Sequence, residues 1–475
     1  MKPLPLLMAA GLVLGLAQQQ LLIRRPPRLV AIEPALASSG AGALDLRFSR
    51  PMELGSVGAS SSLSPALAHG WLGEGSQWRL LLSPGARLDK PIELELGGRD
   101  RRQLAMAPQR WRWDPRPRMV AVVVVPGGEQ LQLRHQDGSW QAISEVWPSI
   151  PHLQVLGDGS GLVMASADDK GRLQVWRLAI QQSNLAPANL GLKAPLVGAA
   201  QRLSQSPLLF AHMSSNRQGE LLLQSATELS GQAQTQIWDA SGGRQELQVE
   251  SSGAIQLVPQ GGAMVVPHPE GLILMRLPGQ PQRRQMLPGS RDLSSFCASG
   301  GRALLVRHRP DYSRSLELVE PGEAPRILWQ GRQAVLGSAC ARGGERIWLL
   351  LMDGMGQPRL QLLALNRSGK ILQRKQLNGW QLEPGTKIEF DASRNQLLLA
   401  LKPITVRRSE IKSIGNARRE IKPIANTRSE IKSISVESIT SEGRQEARPA
   451  LIDANSLMLR VLDKPIRQAQ WLPAH

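Results

Sequence analysis

The stretch LQLLALNRSG, which begins at Leu360, decides the fold because it is one of seven copies of a short pattern. Each copy has an alternating apolar strand, a turn rich in Gly, Pro or Asp, and a second strand. The other copies are LQLRHQDG from Leu131, LQVWRLA from Leu173, TQIWDASGG from Thr235, LILMRLPG from Leu272, LELVEPG from Leu316 and LMLRVLDKP from Leu457. A repeat of about 40 residues with this pattern predicts a β-propeller, because one four-stranded sheet cannot bury both of its faces alone.

A second motif supports the same register. SFCASGGRALLV from Ser295, SACARGGERIWLL from Ser338 and FDASRNQLLLAL from Phe390 align without gaps. They resemble the tight turn and following strand of TolB-like and WD-repeat-like propellers, over most of residues 118–475. We predict a seven-bladed propeller over residues 115–475. Because its last hairpin, Leu457 to Leu472, reaches the C-terminus, we expect the ring to be closed by the edge near Trp111 to Val125.

The unit before the propeller, residues 28–108, is predicted to be a β-sandwich of immunoglobulin (Ig) type. Short apolar runs alternate with polar residues and are separated by turn residues, as in such sandwiches. The runs are Leu44, Leu46 and Phe48, then Trp78, Leu80 and Leu82, then Ile92, Leu94 and Leu96. A joint containing Trp111, Trp113, Pro115 and Pro117 follows, and its composition predicts a stiff, packed connection.

The order of motifs in this first unit resembles a known family. FSRPM begins at Phe48 and is followed by Ser56-Val57, Trp78-Arg79-Leu80, Ser83-Pro84 and Asp100. This order is similar to the bacterial Ig-like domain family of SbsA type, with Ile92 in place of the usual Tyr and Arg102 in place of the usual Gly. The resemblance implies a non-enzymatic spacer or adhesion module outside the cytoplasm, with no catalytic residues to carry over.

Residues 1–24 are predicted to be a signal peptide or a membrane anchor. Lys2 precedes an apolar run from Leu4 to Ala17, and Gly15-Leu16-Ala17 offers small residues at a cleavage site. The run is short for a membrane span, which needs about 20 residues. Arg24, Arg25 and Arg28 follow the run and outnumber the positive charges before it. By the positive-inside rule, an uncleaved anchor with these charges would keep the rest of the chain in the cytoplasm. We predict an extracytoplasmic location, in the periplasm or cell envelope, with the protein secreted or anchored by this segment.

An insertion within the last blade, residues 404–442, contains a decapeptide repeat. RSEIK from Arg408 recurs as RREIK from Arg418 and RSEIK from Arg428. A period of ten residues matches neither a helix nor a strand. We therefore expect a mobile, solvent-exposed loop that is dispensable for folding, with a basic contact arm as the alternative.

The two cysteines, Cys297 and Cys340, are one repeat apart and have aligned flanking sequences. This spacing predicts equivalent positions on the innermost strands of adjacent blades. A disulfide needs Cα atoms roughly 4.4–6.8 Å apart, and neighbouring inner strands are expected to lie farther apart. Two buried thiols are therefore favoured over a disulfide bridge.

Signatures of common active sites are absent from the sequence. No P-loop, G-x-S-x-G, H-E-x-x-H or C-x-x-C motif occurs. Gly157-Asp158-Gly159-Ser160-Gly161 mimics part of a nucleotide-binding loop but reads as a blade turn. None of the seven histidines has metal-ligand spacing: His69, His135, His152, His212, His268, His308 and His475. We predict no catalytic, cofactor-binding or metal-binding residues and no cofactor.

These features predict a non-enzymatic, envelope-associated scaffold or interaction protein with an unidentified ligand. One alternative is a propeller enzyme, a hydrolase or lyase, whose acidic and His side chains would line the axis with perturbed pKa values. Another is a polyanion or glycan binder, since the formal net charge is +18. We expect a protein or envelope polyanion as partner, no specific nucleic acid, and membrane contact only through an uncleaved N-terminal segment. The sequence does not fix the oligomeric state.

Overall fold

The structure, a computed structural model, describes residues 12–15, 18, 20, 24–36, 42–229, 231–279, 284–298, 301–341, 343–354, 359–404 and 446–474. The segment expected at 1–24 lies largely outside the described residues, as does the insertion expected at 404–442 except for residue 404. Across these ranges the chain is nearly all β, with a short helix, α1 (Ser56–Ser60), between strands. None of the helices described has the length and apolar character needed to cross a membrane.

The N-terminal part forms two four-stranded antiparallel sheets. The first has the order β1-β2-β5-β4 and the second the order β14-β7-β6-β3. Their strands are β1 (Leu29–Leu36), β2 (Gly42–Phe48), β3 (Ser62–Ser64), β4 (His69–Glu74), β5 (Gln77–Leu82), β6 (Ile92–Leu96), β7 (Gln109–Trp113) and β14 (Leu185–Pro187).

The side chains that the alternating pattern places on one face of each strand are buried between these two sheets. The alternating positions of β2, β5 and β6 form one core cluster, joined by Met52, Val57 and Trp113. Residues of the FSRPM-type motif have structural roles here. Met52 pairs with Asp100, and Asp100 Oδ1 accepts hydrogen bonds from the backbone N–H groups of Arg102 and Leu104, both at 2.9 Å.

Strand β14 comes from a much later part of the chain than its partners. It pairs with β7 through Leu185↔Trp113 and Pro187↔Trp111. Strand β7 itself lies beyond residue 108, the predicted end of the first unit. Two backbone bonds frame the pair, from Asp114 N to Asn184 O at 2.8 Å and from Ala188 N to Arg110 O at 2.9 Å. The N-terminal sheets are therefore joined to the rest of the protein by a shared strand as well as by the chain.

Seven further antiparallel sheets follow, each with four or five strands. Sheet 1 contains β8 (Arg118–Val125), β9 (Gly128–Arg134), β10 (Trp140–Trp147) and β38 (Ile466–Leu472). Sheet 2 contains β11 (Ser149–Val155), β12 (Gly161–Ala167), β13 (Leu173–Gln181), β15 (Leu196–Val197) and β16 (Gln201–Arg202). Sheet 3 contains β17 (Phe210–Ser215), β18 (Leu221–Ala226), β19 (Gln234–Trp238) and β20 (Arg244–Leu247).

The remaining four sheets repeat this arrangement. Sheet 4 contains β21 (Gln256–Leu257), β22 (Ala263–His268), β23 (Gly271–Arg276) and β24 (Arg284–Pro288). Sheet 5 contains β25 (Arg291–Phe296), β26 (Ala303–His308), β27 (Arg314–Val319) and β28 (Arg326–Gly331). Sheet 6 contains β29 (Ala334–Ala341), β30 (Arg346–Asp353), β31 (Arg359–Asn366) and β32 (Ile371–Gln376). Sheet 7 contains β33 (Trp380–Leu382), β34 (Glu389–Asp391), β35 (Gln396–Pro403), β36 (Arg448–Asp453) and β37 (Leu459–Val461).

Each sheet contacts the next, in most cases through one of its outermost strands. Strand β38 packs against β11, and the series continues through β17 and β21. It resumes where β23 contacts β25, and β25, β29, β34 and β38 then follow. We call β38, β11, β17, β21, β25, β29 and β34 the inner strands. Side-chain hydrogen bonds connect neighbouring inner strands. Gln470 Oε1 on β38, for example, accepts a 2.8 Å hydrogen bond from Val155 N on β11.

The C-terminal strand completes sheet 1, as the sequence predicted. Strand β38 pairs with β8, from Ile466↔Val123 to Leu472↔Arg118. Six copies of the repeated pattern form the third strand of their sheets. The copy from Leu457 differs, because it supplies the fourth strand, β37, while β36 is third. The sequence of this copy alternates as the other copies do. The third strand of sheet 7, however, is β36, which follows residues 404–445 and precedes this copy.

The cysteines form a disulfide, so the expectation of two free thiols is wrong. Cys340 lies on β29 and Cys297 directly follows β25, which confirms equivalent positions on adjacent inner strands. Their Cα atoms are 4.9 Å apart, within the range a bridge needs. The expectation failed because inner strands of neighbouring sheets approach closely at this end.

Candidate functional site: the axial cavity

A cavity of about 430 Å³ lies where the inner strands end. Every one of the seven sheets contributes wall residues, from the end of its inner strand or the turn after it. They include Gly157, Asn216, Pro259, Phe296, Cys340, Asp391 and Trp471. Ala35 and Gly42 of the N-terminal sheets and Pro115 and Pro117 of the joint line it as well. We call this space the axial cavity.

Close backbone approach shapes one wall of the axial cavity. A Cβ atom on Gly157 would lie 2.4 Å from the carbonyl oxygen of Asn216, so the turns of sheets 2 and 3 can meet only at a glycine. Gly157 N donates a 3.1 Å hydrogen bond to Ser215 Oγ across this contact. The GDGSG segment is therefore a turn between β11 and β12, as predicted, and it also forms cavity wall.

Strand β34 contributes two carboxylates, Glu389 and Asp391, to the lining of the cavity. Alternation along a strand places Glu389 and Asp391 on one face and Phe390 on the other. Phe390 stacks on Trp348 of sheet 6, with ring centroids 4.7 Å apart, so its face is the core face. Glu389 and Asp391 share the opposite face of the strand, and both line the cavity, as Phe390 does at its own position.

Asp391 has a buried side-chain oxygen without a hydrogen-bond partner, and Trp471 Nε1 in the same wall is likewise without one among the residues described. Asp391 Oδ1 accepts hydrogen bonds from Ser393 N at 2.8 Å and Ser393 Oγ at 2.7 Å. Its Oδ2 is buried and has no hydrogen-bond partner in the part of the chain that the structure describes. Only 3% of the residue is exposed, and burial raises the pKa of its carboxyl. Because a buried, unpaired carboxylate oxygen is costly, this atom favours a ligand that donates a proton or carries positive charge.

Glu389 is a second carboxyl group with an altered proton affinity. Burial raises its pKa from 4.5 to about 7, against the opposing effects of a bond from Trp471 N and the charge of Lys387. The Trp471 N–H donates to Glu389 Oε2 at 2.7 Å. Burial also lowers the pKa of Lys387. Lys387 is exposed to solvent, and its Nζ donates a hydrogen bond to Gln154 Oε1 at 3.4 Å.

Arg217 supplies positive charge on the opposite side of the axial cavity. It follows β17 of sheet 3, whereas Asp391 belongs to sheet 7, so sheets 4, 5 and 6 lie between them in one direction and sheets 1 and 2 in the other. Its backbone N–H donates to Pro259 O at 2.9 Å, which fixes the turn. Burial lowers the pKa of the Arg217 guanidinium, because the buried group loses the water that stabilises its positive charge.

Two histidines occupy the same inner strands that lead to the cavity. His152 lies on β11 and His212 on β17, and both keep solvent contact. Burial lowers the pKa of His212, and burial and then the charge of His212 lower the pKa of His152. Sequence spacing did not predict this pairing. Within the described residues no group of three or more His, Cys, Asp or Glu side chains is arranged to hold a metal ion.

Comparisons with known proteins give fold-level likenesses at low identity. No protein-family model matches the chain, and no curated protein sequence matches it. Among solved structures, TolB from Acinetobacter baumannii is 13% identical, with 61% of this chain and 76% of that chain covered and a TM-score of 0.37. AztD from Citrobacter koseri is 11% identical, with 75% and 98% covered and a TM-score of 0.43. The β-propeller domain of the Trilobed protease from Pyrococcus furiosus is 12% identical, with 66% and 89% covered and a TM-score of 0.39.

Proposed function

We propose that this chain is a non-enzymatic binding protein of the cell envelope, in which an Ig-like sandwich sits on a seven-bladed β-propeller. We further propose that the axial cavity binds a small dipolar ligand. The observation that carries this proposal is the buried, unpaired Oδ2 atom of Asp391 in the cavity wall.

The proposed architecture rests on strand order and contacts. Seven successive antiparallel sheets contact one another in turn, through their inner strands except between sheets 4 and 5, where β23 contacts β25, and the last inner strand contacts β38 again; propeller blades are arranged in this way. The pairing of β38 with β8 supports closure of the ring within sheet 1. The two N-terminal sheets share one apolar core, which supports a sandwich.

The proposed compartment rests on three features. The Cys297–Cys340 disulfide suits an oxidising environment, because cytosolic thiols are kept reduced. The apolar run from Leu4 to Ala17 suits export, and the motif order from Phe48 resembles an envelope module. Fractionation that finds the intact chain, Met1 included, in the soluble cytoplasm would refute this location.

The proposed ligand class rests on the opposed charges. An ammonium or guanidinium group at Asp391 and Glu389 would supply the donors that Asp391 Oδ2 lacks. A carboxylate or similar anionic group would face Arg217 on the other side. A zwitterion matches both ends, whereas a simple amine or a simple acid leaves one buried charge without a partner.

A length series of ω-amino carboxylates tests this proposal by calorimetry. We expect affinity to peak at one chain length, because only one length reaches both ends, and alkyl amines or alkyl acids of that length to bind more weakly. Asp391→Asn should weaken the best ligand about 10- to 100-fold, the value of a charge-assisted hydrogen bond.

Asp311→Asn is the matched control for this substitution. Asp311 Oδ1 accepts the same two bonds, from Ser313 N at 3.0 Å and Ser313 Oγ at 2.7 Å, in an outer turn of sheet 5. We expect this variant to bind as the wild type does. Equal loss in both variants, or no length preference, would refute the proposed site.

A second candidate function, hydrolysis in the axial cavity, is favoured by the pKa of Glu389 at about 7. A carboxyl group with this pKa can exchange protons near neutrality, and Asp391 lies on the same strand face. Turnover of chromogenic esters or glycosides, with a pH inflection near 7 that Glu389→Gln removes, would support an enzyme. No turnover, or an unchanged profile in that variant, would contradict it.

A further inference from the structure

A second concave site lies at the joint between the N-terminal sheets and sheet 1. This cleft, of about 610 Å³, is lined on one side by Lys90 and Arg112 and on the other by His135 and Gln136. The joint residues Asp114, Arg116 and Arg118 form its floor, and Lys193 lies at its rim. We call it the joint cleft.

The floor of the joint cleft contains more buried positive than negative charge. Arg116 binds Asp114 through two parallel hydrogen bonds, Nε to Oδ1 at 2.7 Å and Nη2 to Oδ2 at 2.9 Å. Their side chains are only 6% and 3% exposed. This pairing occupies the buried carboxylate, so that Arg118 must find other partners.

Arg118 has only neutral hydrogen-bond partners. Its Nη1 donates to Asn184 Oδ1 at 2.5 Å and to Gln182 Oε1 at 3.0 Å. Its Nε is buried and has no partner among the residues described, and 6% of the residue is exposed. Burial is the main cause that lowers the pKa of Arg118. Asp114 attracts Arg118 only through space, so this buried guanidinium has an unused donor and no carboxylate hydrogen-bonded to it, and an anion would stabilise it.

The rim adds further positive charge. Lys90, Arg112 and Lys193 are exposed, and none makes an ion pair within the described ranges. The acidic residues of the cleft already have partners: Asp89 lies 3.8 Å from Arg87, and Asp137 accepts two bonds from Ser139. The lining therefore has five Lys or Arg side chains and three Asp side chains, besides His135.

We propose that the joint cleft binds a phosphate-type oxyanion, at a site separate from the axial cavity. A tetrahedral oxyanion offers several acceptors with up to two negative charges, which suits a guanidinium floor and a three-cation rim better than one carboxylate does. The same group occurs free, on a phosphorylated saccharide and on an anionic phospholipid.

Calorimetric titration of the full chain tests this proposal with inorganic phosphate, a sugar phosphate and phosphatidylglycerol vesicles as separate probes. We expect at least one probe to bind, with affinity that falls as salt rises. Phosphate or sugar phosphate binding indicates a soluble source, whereas binding of vesicles alone indicates a lipid headgroup.

The paired variant Arg112→Gln/Lys193→Gln removes two rim charges without touching the buried floor. We expect it to weaken binding about tenfold or more, by the value of one charge-assisted bond or more. The matched control is Arg374→Gln/Lys375→Gln on β32, where both side chains are exposed on an outer strand. This control should bind as the wild type does.

Two results would overturn the proposal. One is the absence of binding by all three probes at millimolar phosphate and low salt. The other is equal weakening in the rim variant and the β32 control, since that pattern indicates only the diffuse attraction of a basic protein. Thermal unfolding of each variant confirms that it is folded, so that a loss of binding reports the cleft.

Discussion

The disulfide between Cys297 and Cys340 should contribute strongly to stability, because it closes a long loop. The bridge ties β25 to β29 in the wall of the axial cavity. Reduction without any substitution removes the cross-link while both sulfur atoms stay in the protein. It therefore separates the effect of the bond from the effect of side-chain packing.

The expected magnitude follows from the 43-residue separation of the two cysteines. In the chain-entropy model, a loop of this size restricts the unfolded state enough to give about 4 kcal/mol. For a cooperative unit of roughly 400 residues this corresponds to a fall in Tm of about 5 °C on reduction.

The assay is unfolding followed by Trp fluorescence, on oxidised and reduced wild-type protein in the same buffer, with free thiols counted by alkylation. The control is Cys297→Ala/Cys340→Ala, which also removes two buried sulfur atoms. Since Cys297 is 1% and Cys340 is 6% exposed, we expect this variant to lose about 1 kcal/mol more than reduction alone.

Two outcomes would refute the reasoning. Alkylation of both cysteines in the unreduced protein would show that the bond does not form. Identical unfolding of oxidised and reduced protein, with the bond confirmed, would show that sheets 5 and 6 stay associated in the unfolded ensemble, so the loop entropy is not released.

Three further predictions concern single side chains. Glu389→Gln should change the pH dependence of stability, because folding raises the pKa of the Glu389 carboxyl from 4.5 to about 7. Wild-type stability therefore falls as pH rises between these values, whereas the variant should not show this fall and should be more stable than the wild type above about pH 7. Parallel pH dependences of the two proteins in denaturant melts would contradict this. Trp348→Ala should cost about 3–5 kcal/mol in unfolding free energy, because the side chain is fully buried, stacks on Phe390 and donates from Nε1 to Ala454 O at 3.2 Å; a loss below about 1 kcal/mol would mean that the gap is refilled. His212→Asn should raise the pKa of His152, since the charge of His212 lowers it; an unchanged imidazole titration by NMR would show that the two rings do not interact.

The sequence predicts most of the strands because apolar alternation reports directly which face is buried. Leu44, Leu46 and Phe48 occupy the core positions that their spacing indicates, and the C-terminal strand pairs where the repeat count requires it. Strand β14 was beyond this reasoning. Its three residues, LAP, carry no periodic signal, and it belongs to a sheet whose other strands lie more than 70 residues earlier in sequence.

The sequence did not predict the residues of the axial cavity, and the reason is different. Asp391 lies in an Asp-x-Ser turn, and the same turn recurs at Asp137, Asp158, Asp239 and Asp311, each with Oδ1 bonded to a serine two residues later. In sequence, Asp391 is indistinguishable from these turn residues, none of which is buried. Only the tertiary structure buries it and leaves Oδ2 without a donor. A useful signal is present, however, in Glu389 two residues earlier, since an acidic residue is unusual within an inner strand.

The short turn at Asp391–Arg394 contacts both proposed sites, which makes the N-terminal sheets more than a spacer. Asp391 faces the axial cavity, and Ser393 O accepts a 2.8 Å bond from Leu88 N of the N-terminal unit. Arg394 donates to Gln136, whose own Nε2 donates to the carbonyl oxygens of Arg116 at 3.1 Å and Pro117 at 3.2 Å, at the floor of the joint cleft. The wall of each site is therefore built from both units. A change in how the N-terminal sheets sit against sheet 7 must alter the geometry of both sites, whereas the rim substitutions at Arg112 and Lys193 leave this turn intact. For that reason the rim variant isolates the joint cleft, and substitutions within the turn would not.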